Sequence, residues 1–208
     1  MKMLNGAFKW IFDMGNWLFK LMYLHVLWVA FTLLGVIFLG FFPATAGVYT
    51  VTRKWVEGDP DVPIFRTFFD VYKSIFVQIN GLGYVMAFVG AFLTYDFIIS
   101  KQLVGSFFIH VFLLLFSVLF ILVLCYLFPV YVRYDLRFFQ YFKQTFLIVV
   151  SRPLESVGMI VCLLLLYYLF IILPVLFVLA GSSIIAFLMM GLAYRAFAKI
   201  EQRKTDEG

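Results

Sequence analysis

Two histidines, two cysteines and a few polar side chains in apolar segments are the groups of this sequence that could carry chemistry. The histidines are His25 and His110, and the cysteines are Cys125 and Cys162. The other polar residues within or beside apolar segments are few: Gln78, Asn80, Thr94, Asp96, Ser106 and Ser117. Because a polar group is costly in an apolar environment, such residues mark packing contacts or ligand pathways.

These residues do not predict a hydrolase. Serine catalysis requires a serine and a histidine within hydrogen-bonding reach together with oxyanion donors. Neither Ser106 nor Ser117 lies in a G-x-S-x-G turn. A metal hydrolase would need more histidine or carboxylate ligands at one depth. Cys125 and Cys162 are too few for a zinc site, and we interpret them as packing residues.

The two histidines leave one cofactor chemistry open. If the helices that carry His25 and His110 run parallel, two imidazoles at similar depth could ligate one haem iron. The alternative is that each imidazole hydrogen-bonds a neighbouring helix or reaches the membrane interface, and we favour this second interpretation. We therefore predict no cofactor, no metal site and no enzymatic activity.

The elements that carry these residues are membrane helices by composition. The 208-residue chain is 65% hydrophobic and 21% aromatic, has 13% charged residues, and has a mean hydropathy of +1.05. A soluble domain carries about 25% charged residues, so most of this surface faces lipid. The net charge of +5 does not predict nucleic-acid binding. Cations between apolar segments are typical of topology determinants and contacts to anionic lipid.

Four stretches contain no Asp, Glu, Lys or Arg: residues 21–42, 74–95, 102–132 and 156–194. A helix crosses the hydrocarbon core of a bilayer in about 20 residues. The first three stretches predict one span each, and the fourth predicts two spans with a turn between Pro174 and Ser183. The predicted fold is all-α, a polytopic bundle of about five transmembrane helices in one membrane domain, residues 1–208.

The lysines and arginines between these spans predict an orientation. Twelve of them fall on one side of the five-span arrangement, and four fall on the other side (Lys2, Lys9, Lys20 and Lys101). Positive charge accumulates on the cytoplasmic side of a membrane. The split predicts a bacterial plasma-membrane protein with its N-terminus outside and its C-terminus in the cytoplasm, although Lys2 and Lys9 oppose this orientation.

A segment of small residues follows the first predicted span and resembles a signal-peptidase site. The preceding uncharged stretch is 22 residues long, against roughly 7–15 in a signal peptide. Cleavage would also require translocation of the pair Arg53-Lys54, so we predict no cleavage. Instead, Pro43 is expected to end or kink the first span at the inner face. The residues expected to allow close helix packing there are Ala44, Thr45, Ala46 and Gly47.

Two segments of the chain are similar to each other. Residues 68–76 read FFDVYKSIF and residues 138–146 read FFQYFKQTF. Upstream of each lies a Phe-Pro pair, at Pro43 and Pro129, and a histidine precedes each proline by 18 or 19 residues. The pattern indicates a parallel duplication with repeat units 17–98 and 102–175, a final helix 176–198 and a polar tail 199–208.

The first of these segments predicts an amphipathic helix at the inner face. Asp61 and Pro63 suit a helix start. After them an aromatic stripe at 3–4 spacing opposes Arg66 and Asp70. The stripe consists of Phe65, Phe68, Phe69 and Tyr72, and Lys73 follows it. Such a helix either anchors the loop on the lipid surface or forms a docking surface for a partner.

The segment from Trp17 to Trp55, with LGVIFLGFFPATAGVYTVTRKW at its core, resembles the bacterial YesL-like family of small multi-pass membrane proteins. The D-x-P element at Asp61 and the F-x-x-Y-K element at Phe69 are also similar to that family. Its members tend to be encoded beside carbohydrate-uptake transporters and polysaccharide-degrading enzymes in Gram-positive bacteria. The resemblance implies a plasma-membrane location and a link with sugar import, and it supplies no catalytic residues.

We therefore expect a non-enzymatic accessory or partner of a carbohydrate uptake system, with an ABC-type importer as the partner. The alternatives are an autonomous small transporter or channel and, as a minor one, a bis-histidine haem protein. Candidate packing and interaction residues are Pro43, Ala44, Thr45, Ala46, Gly47, Arg53, Lys54, Trp55, Phe65, Phe69, Tyr72 and Lys73. Candidate intramembrane polar residues are His25, Gln78, Asn80 and His110.

Overall fold

The computed structural model describes residues 2–100 and 107–206, and this part of the chain is helical with no strand. Lys101 and Ser106 therefore lie outside the described residues, as does the predicted start of the third span. The helices of the described part are α1 Lys2–Leu34, α2 Phe41–Val56, α3 Ile64–Ser74, α4 Phe76–Ile99, α5 Phe107–Arg133, α6 Phe138–Ser151, α7 Pro153–Ile172 and α8 Pro174–Asp206.

Five segments of these helices are long and apolar enough to cross a membrane. They are Phe12–Leu34 in α1, Phe76–Ile99 in α4, Phe107–Arg133 in α5, Pro153–Ile172 in α7 and Pro174–Gln202 in α8. The predicted fold class, an all-α membrane bundle with about five spans, is confirmed. The protein is a multi-pass membrane protein.

The first span ends earlier than the sequence predicted. It ends at Leu34 rather than Phe42, and a turn over residues 35–40 follows it. Val36 and Ile37 have positive φ values of 55° and 63° in this turn. Gly35 and Gly40 meet so closely that a Cβ on Gly35 would lie 2.3 Å from the Gly40 Cα. The turn was missed because its other residues are apolar and continue the hydropathy of the span.

Pro43 consequently has a different role from the one predicted. It does not end α1, since it lies in the first turn of α2, where the amide hydrogen that proline lacks would have no partner within the helix. Pro129 instead lies four residues before the end of α5. The two Phe-Pro pairs thus occupy opposite ends of their helices, which removes this element from the proposed repeat.

Helix α2 forms the buried centre of the bundle. Ten of its 16 residues are buried, and at 1.5 Å per residue the helix is about 24 Å long. It runs antiparallel to α1, because Trp28 Nε1 donates to Thr45 Oγ1 at 3.0 Å near one end and the rings of Trp17 and Trp55 meet at 5.0 Å near the other. Residues 43–47, predicted at an inner-face helix end, therefore begin a short buried helix that runs back along α1.

The first and last helices are antiparallel neighbours. The Trp17 ring lies 5.4 Å from the ring of Phe187, and His25 Nδ1 lies 2.7 Å from Ser182 Oγ. Because the later residue of α1 contacts the earlier residue of α8, the two helices run in opposite directions. The N-terminal part of α1 therefore lies at the same end of the bundle as the C-terminal part of α8. The placement of the two termini on opposite sides of the membrane stays a prediction.

Contacts near the helix ends fix the directions of the remaining long helices. Helix α4 is antiparallel to α5, α7 is antiparallel to α8, and the C-terminal ends of α5 and α8 meet. The contacts that fix these directions are Gln78–Tyr131, Phe97–His110, Glu155–Lys199, Phe170–Phe177 and Arg133–Glu201. The N-terminal parts of α1 and α7 thus share one end of the bundle with the C-terminal ends of α2, α5 and α8, whereas the start of α4 contacts both Tyr131 of α5 and the α1–α2 turn. We call this shared end the base.

The break between the last two spans lies just outside the predicted window. Helix α7 ends at Ile172 and α8 begins at Pro174, which leaves only Leu173 between them. Pro174 suits the first turn of α8, and Ser183 lies inside that helix. Helix α8 also continues through Asp206, so residues 199–206 of the predicted polar tail extend the last span as a helix.

The amphipathic helix predicted after Pro63 is present as α3. Phe68 is fully buried, whereas Arg66 and Asp70 are exposed and form an ion pair at 3.9 Å. Phe65 and Phe69 stack at 5.9 Å and are 50% and 40% exposed. The phenylalanine pair at 138–139 begins α6, so both similar segments form helices between a pair of longer ones. The duplication itself stays a prediction.

Candidate functional site

The small residues of α2 pack where α3 crosses it. Ala44 and Ala46 have no exposed surface. A Cβ added to Gly47 would lie 2.8 Å from the ring of Phe68. Thr45 donates from Oγ1 to the carbonyl of Phe41 at 2.7 Å, so its hydroxyl is satisfied within the helix. This segment holds the aromatic side of α3 against the bundle.

A cavity of about 370 Å³ lies between α1, α2, α5, α7 and α8. Its lining is mostly apolar and rich in aromatic rings: Trp28, Phe41, Tyr49, Phe128 and Phe177. Phe41 and Phe177 are 41% and 54% exposed, so the cavity reaches the apolar outer surface of the bundle. Both residues lie in the first turn of their helices, at the end opposite the base.

The polar groups of this cavity centre on His25. Its side chain is buried, and its Nδ1 lies 2.7 Å from Ser182 Oγ and 3.3 Å from the Ser182 backbone nitrogen. The imidazole also stacks on Trp28 at 5.8 Å. Tyr49 lines the cavity from α2, and its hydroxyl can act as a donor or an acceptor. The cavity therefore offers hydrogen-bonding groups on two of its walls.

His110 does not take part in this cavity. It lies beside Phe97, with ring centroids 6.0 Å apart, near the start of α5. Cys125, which lines the cavity with His25, lies 15 residues further along α5, about 22 Å away along the helix axis. The structure thus gives the two histidines different surroundings, and they do not form the bis-histidine pair considered from the sequence. Within the described residues no group of three or more potential metal ligands occurs.

A second polar site lies at the base, and we call it the ionic cluster. Arg133 donates to Glu57 at 3.1 Å and to both carboxylate oxygens of Glu201 at 3.1 Å. Its guanidinium also lies 5.2 Å from the ring centroid of Tyr194. Because only 21% of the Arg133 side chain is exposed, these contacts join the ends of α2, α5 and α8 with little competition from water.

A further ion pair of the ionic cluster joins α7 to α8. Lys199 Nζ lies 2.6 Å from Glu155, whose side chain is only 11% exposed. Arg152 donates to the backbone carbonyl of Lys199 at 2.5 Å. The charges of the base are therefore paired across helix ends rather than left free inside the bundle.

The basic pair of α2 lies beside this cluster. Arg53 donates to the backbone carbonyl of Val132, and its Nε lies 3.7 Å from Glu57. Lys54 is only partly exposed. Trp55 is buried, with its ring edge against Trp17. The residues expected to interact at the inner face thus also close the base of the bundle.

The candidate polar residues of α4 tie helices together. Gln78 accepts a hydrogen bond from the Tyr131 hydroxyl at 3.1 Å. Asn80 donates to the backbone carbonyl of Leu39 at 3.0 Å and to that of Phe76 at 2.8 Å. These two residues connect α4 with α5 and with the α1–α2 turn, so both act as helix tethers.

The last two candidates lie near the end of α3. The Tyr72 hydroxyl donates to the carbonyl of Phe31 at 3.2 Å, and burial raises the pKa of this phenol, which keeps the donor protonated. Lys73 is exposed. Tyr72 thus fixes α3 to the end of the first span, and Lys73 faces away from it.

Sequence reasoning missed the groups that complete both sites. Ser182 was interpreted as part of a turn, and Tyr49 was not singled out. Arg133 was counted only as one of the positive charges that predict the orientation. Its partners Glu57 and Glu201 lie 76 and 68 residues away in the chain. No local pattern could have paired them. The signal for Ser182 was its place as a polar residue in an apolar segment.

Comparison with known proteins places the chain in a family. The family described as "Protein of unknown function, DUF624" matches residues 21–97. Three uncharacterized proteins of Bacillus subtilis (strain 168) are similar over nearly their whole length. YesL is 29% identical over 213 residues, which cover 100% of this chain and 99% of YesL. YteU is 32% identical over 201 residues (95% and 90%), and YesV is 35% identical over 191 residues (91% and 92%).

No solved structure matches the chain significantly. The match to YesL, YteU and YesV extends through all eight helices of the described part rather than the first segment alone. The chain therefore belongs to the DUF624 family of YesL-like membrane proteins.

Proposed function

We propose that this protein is a non-enzymatic component of a bacterial plasma membrane that acts as an accessory partner of a carbohydrate importer. The observation that best supports this proposal is the contrast between an apolar interior cavity and a base where paired charges join four helices. A sugar path needs many polar groups along its wall, which this cavity does not offer. The ordered, charged base suits contact with a protein partner.

The proposal includes an orientation that differs from the one first predicted. Because α1 and α8 are antiparallel, both ends of the described part of the chain lie on the base side. The cations at the ends of α2, α5 and α8, among them Arg53, Arg133 and Lys199, then share this side with Lys2, Lys9 and Lys20. The positive-inside rule favours a cytoplasmic base, and the conflict raised by the N-terminal lysines disappears.

Affinity purification from the native membrane tests the partner role. Subunits of a carbohydrate importer are expected to co-purify with the tagged wild-type chain after mild cross-linking. Arg195→Glu reverses an exposed charge near the base and is expected to lower this recovery several-fold. Leu188→Phe, an exposed apolar change on the same helix, is the matched control and should leave recovery unchanged.

The transporter alternative predicts a different result. Purified chain alone, reconstituted into liposomes, would then accumulate radiolabelled oligosaccharide. The accessory role predicts no uptake by the chain alone. Uptake by the reconstituted chain, or recovery of importer subunits that Arg195→Glu and Leu188→Phe affect equally, would contradict the proposed function.

A further inference from the structure

We propose that the cavity around His25 binds a membrane-dissolved ligand of the isoprenoid quinone class, a flat ring with carbonyl acceptors and a hydrocarbon tail. The inference rests on the lining, the polar groups and the opening of the cavity, and it does not depend on the partner role. At about 370 Å³ the cavity falls in the range of small-molecule sites, roughly 300–1,000 Å³.

The walls of the cavity favour a flat ring over a simple hydrocarbon chain. His25 and Trp28 stack along one wall at 5.8 Å. Tyr49 and Phe128 stack along another at 5.5 Å, with an angle of 9° between their planes. Parallel aromatic surfaces of this kind hold a further ring by offset stacking, whereas an aliphatic chain gains only its buried area.

The polar groups of the cavity suit carbonyl oxygens. His25 and Ser182 share a hydrogen bond of 2.7 Å, and the imidazole and hydroxyl can each act as a donor. From the facing helix, Tyr49 lines the cavity, and its hydroxyl can also act as a donor. A quinone ring carries two carbonyl acceptors on opposite edges and can therefore meet both groups at once.

The opening of the cavity suits a ligand that arrives through the bilayer. Phe41 and Phe177 line the cavity and are also exposed on the apolar surface of the bundle. His25 lies nine residues from the end of α1, about 13 Å along the helix axis, so the polar pair lies near the middle of the span. A ring dissolved in the bilayer interior reaches this depth, and its tail stays in lipid.

The test uses the full-length chain in lipid nanodiscs and 2,3-dimethyl-1,4-naphthoquinone, whose substituted ring resists addition of the Cys125 thiol. Quinone binding beside Trp28 is expected to quench tryptophan fluorescence saturably at one ligand per chain. Tyr49→Phe and Ser182→Ala should each weaken binding about tenfold, the effect of one hydrogen bond. Circular dichroism and thermal unfolding confirm that each variant is folded.

A matched pair on α7 locates the site. Leu163 lines the cavity, whereas Leu164 is 53% exposed on the outer surface. Leu163→Phe should fill part of the cavity and weaken binding at least tenfold, and Leu164→Phe should leave it unchanged. Three results would overturn the proposal: quenching that does not saturate, equal effects of the two variants, and equally strong competition by palmitate, which would assign the cavity to a lipid chain.

Discussion

The cavity and the ionic cluster are both polar features of one bundle, but they are built in opposite ways. The cavity around His25 has few polar groups. Two of them, the hydroxyls of Ser182 and Tyr49, are neutral and belong to residues that line the cavity. At the base Arg133 is engaged on both sides by carboxylates and covered by an aromatic ring. Neutral hydrogen-bonding groups beside a cavity suit the proposed ligand, whereas paired charges at helix ends hold those ends together.

The largest effect is expected where α2 and α3 meet, because this contact supports both regions. Gly47→Ala places a Cβ within 2.8 Å of the fully buried Phe68 ring and should lower stability by about 3 kcal/mol through overpacking. Gly158→Ala is the matched control, since nothing lies within 4 Å of its added Cβ. Thermal unfolding in detergent compares them, and equal melting temperatures would contradict the packing described for α2.

A smaller loss is expected at the ionic cluster. Arg133→Met leaves Glu57 and Glu201 without their shared partner and should cost roughly 2 kcal/mol, between the values of buried and surface ion pairs. Arg66→Met, which breaks an exposed pair with Asp70, is the control and should change stability by less than about 0.5 kcal/mol. If both variants unfold at the same temperature, Arg133 does not close the base.

A still smaller effect is expected where α4 meets the α1–α2 turn. Asn80→Leu removes the hydrogen bond to the Leu39 carbonyl at 3.0 Å and should destabilise the chain by about 1 kcal/mol. Thr94→Val removes only a hydroxyl that bonds within its own helix, so it serves as the comparison. Amide hydrogen exchange in residues 35–40 is expected to rise in Asn80→Leu alone, and unchanged exchange there would speak against the tether.

The sequence was sufficient for the features that depend on composition and periodicity. Five long apolar segments and the aromatic stripe around Phe68 were predictable, since hydropathy and 3–4 spacing report them directly. Helix α2 was not, because the turn before it contains Val36 and Ile37 and reads as part of the first span. This missed turn hid the buried helix α2, which runs back along α1.

The two sites were less predictable than the fold. His25 was identified as a polar residue inside a span, but its partner Ser182 is 157 residues away in the chain. The ionic cluster joins residues from the ends of four helices, and its members look like ordinary loop charges in the sequence. Pairing of this kind is set by helix direction, which one-dimensional patterns do not report when a helix such as α2 is missed.

The proposed orientation places the base, with both chain ends, on the cytoplasmic side. Single cysteines in a background without Cys125 and Cys162 test it most directly, with an impermeant maleimide applied to intact cells. Lys54→Cys in α2 and Lys9→Cys in α1 are expected to be labelled only after the membrane is opened. Leu173→Cys, between α7 and α8, is expected to react in intact cells. Labelling of Lys9→Cys from outside, with Lys54→Cys protected, would contradict the account and place the two chain ends on opposite sides of the membrane.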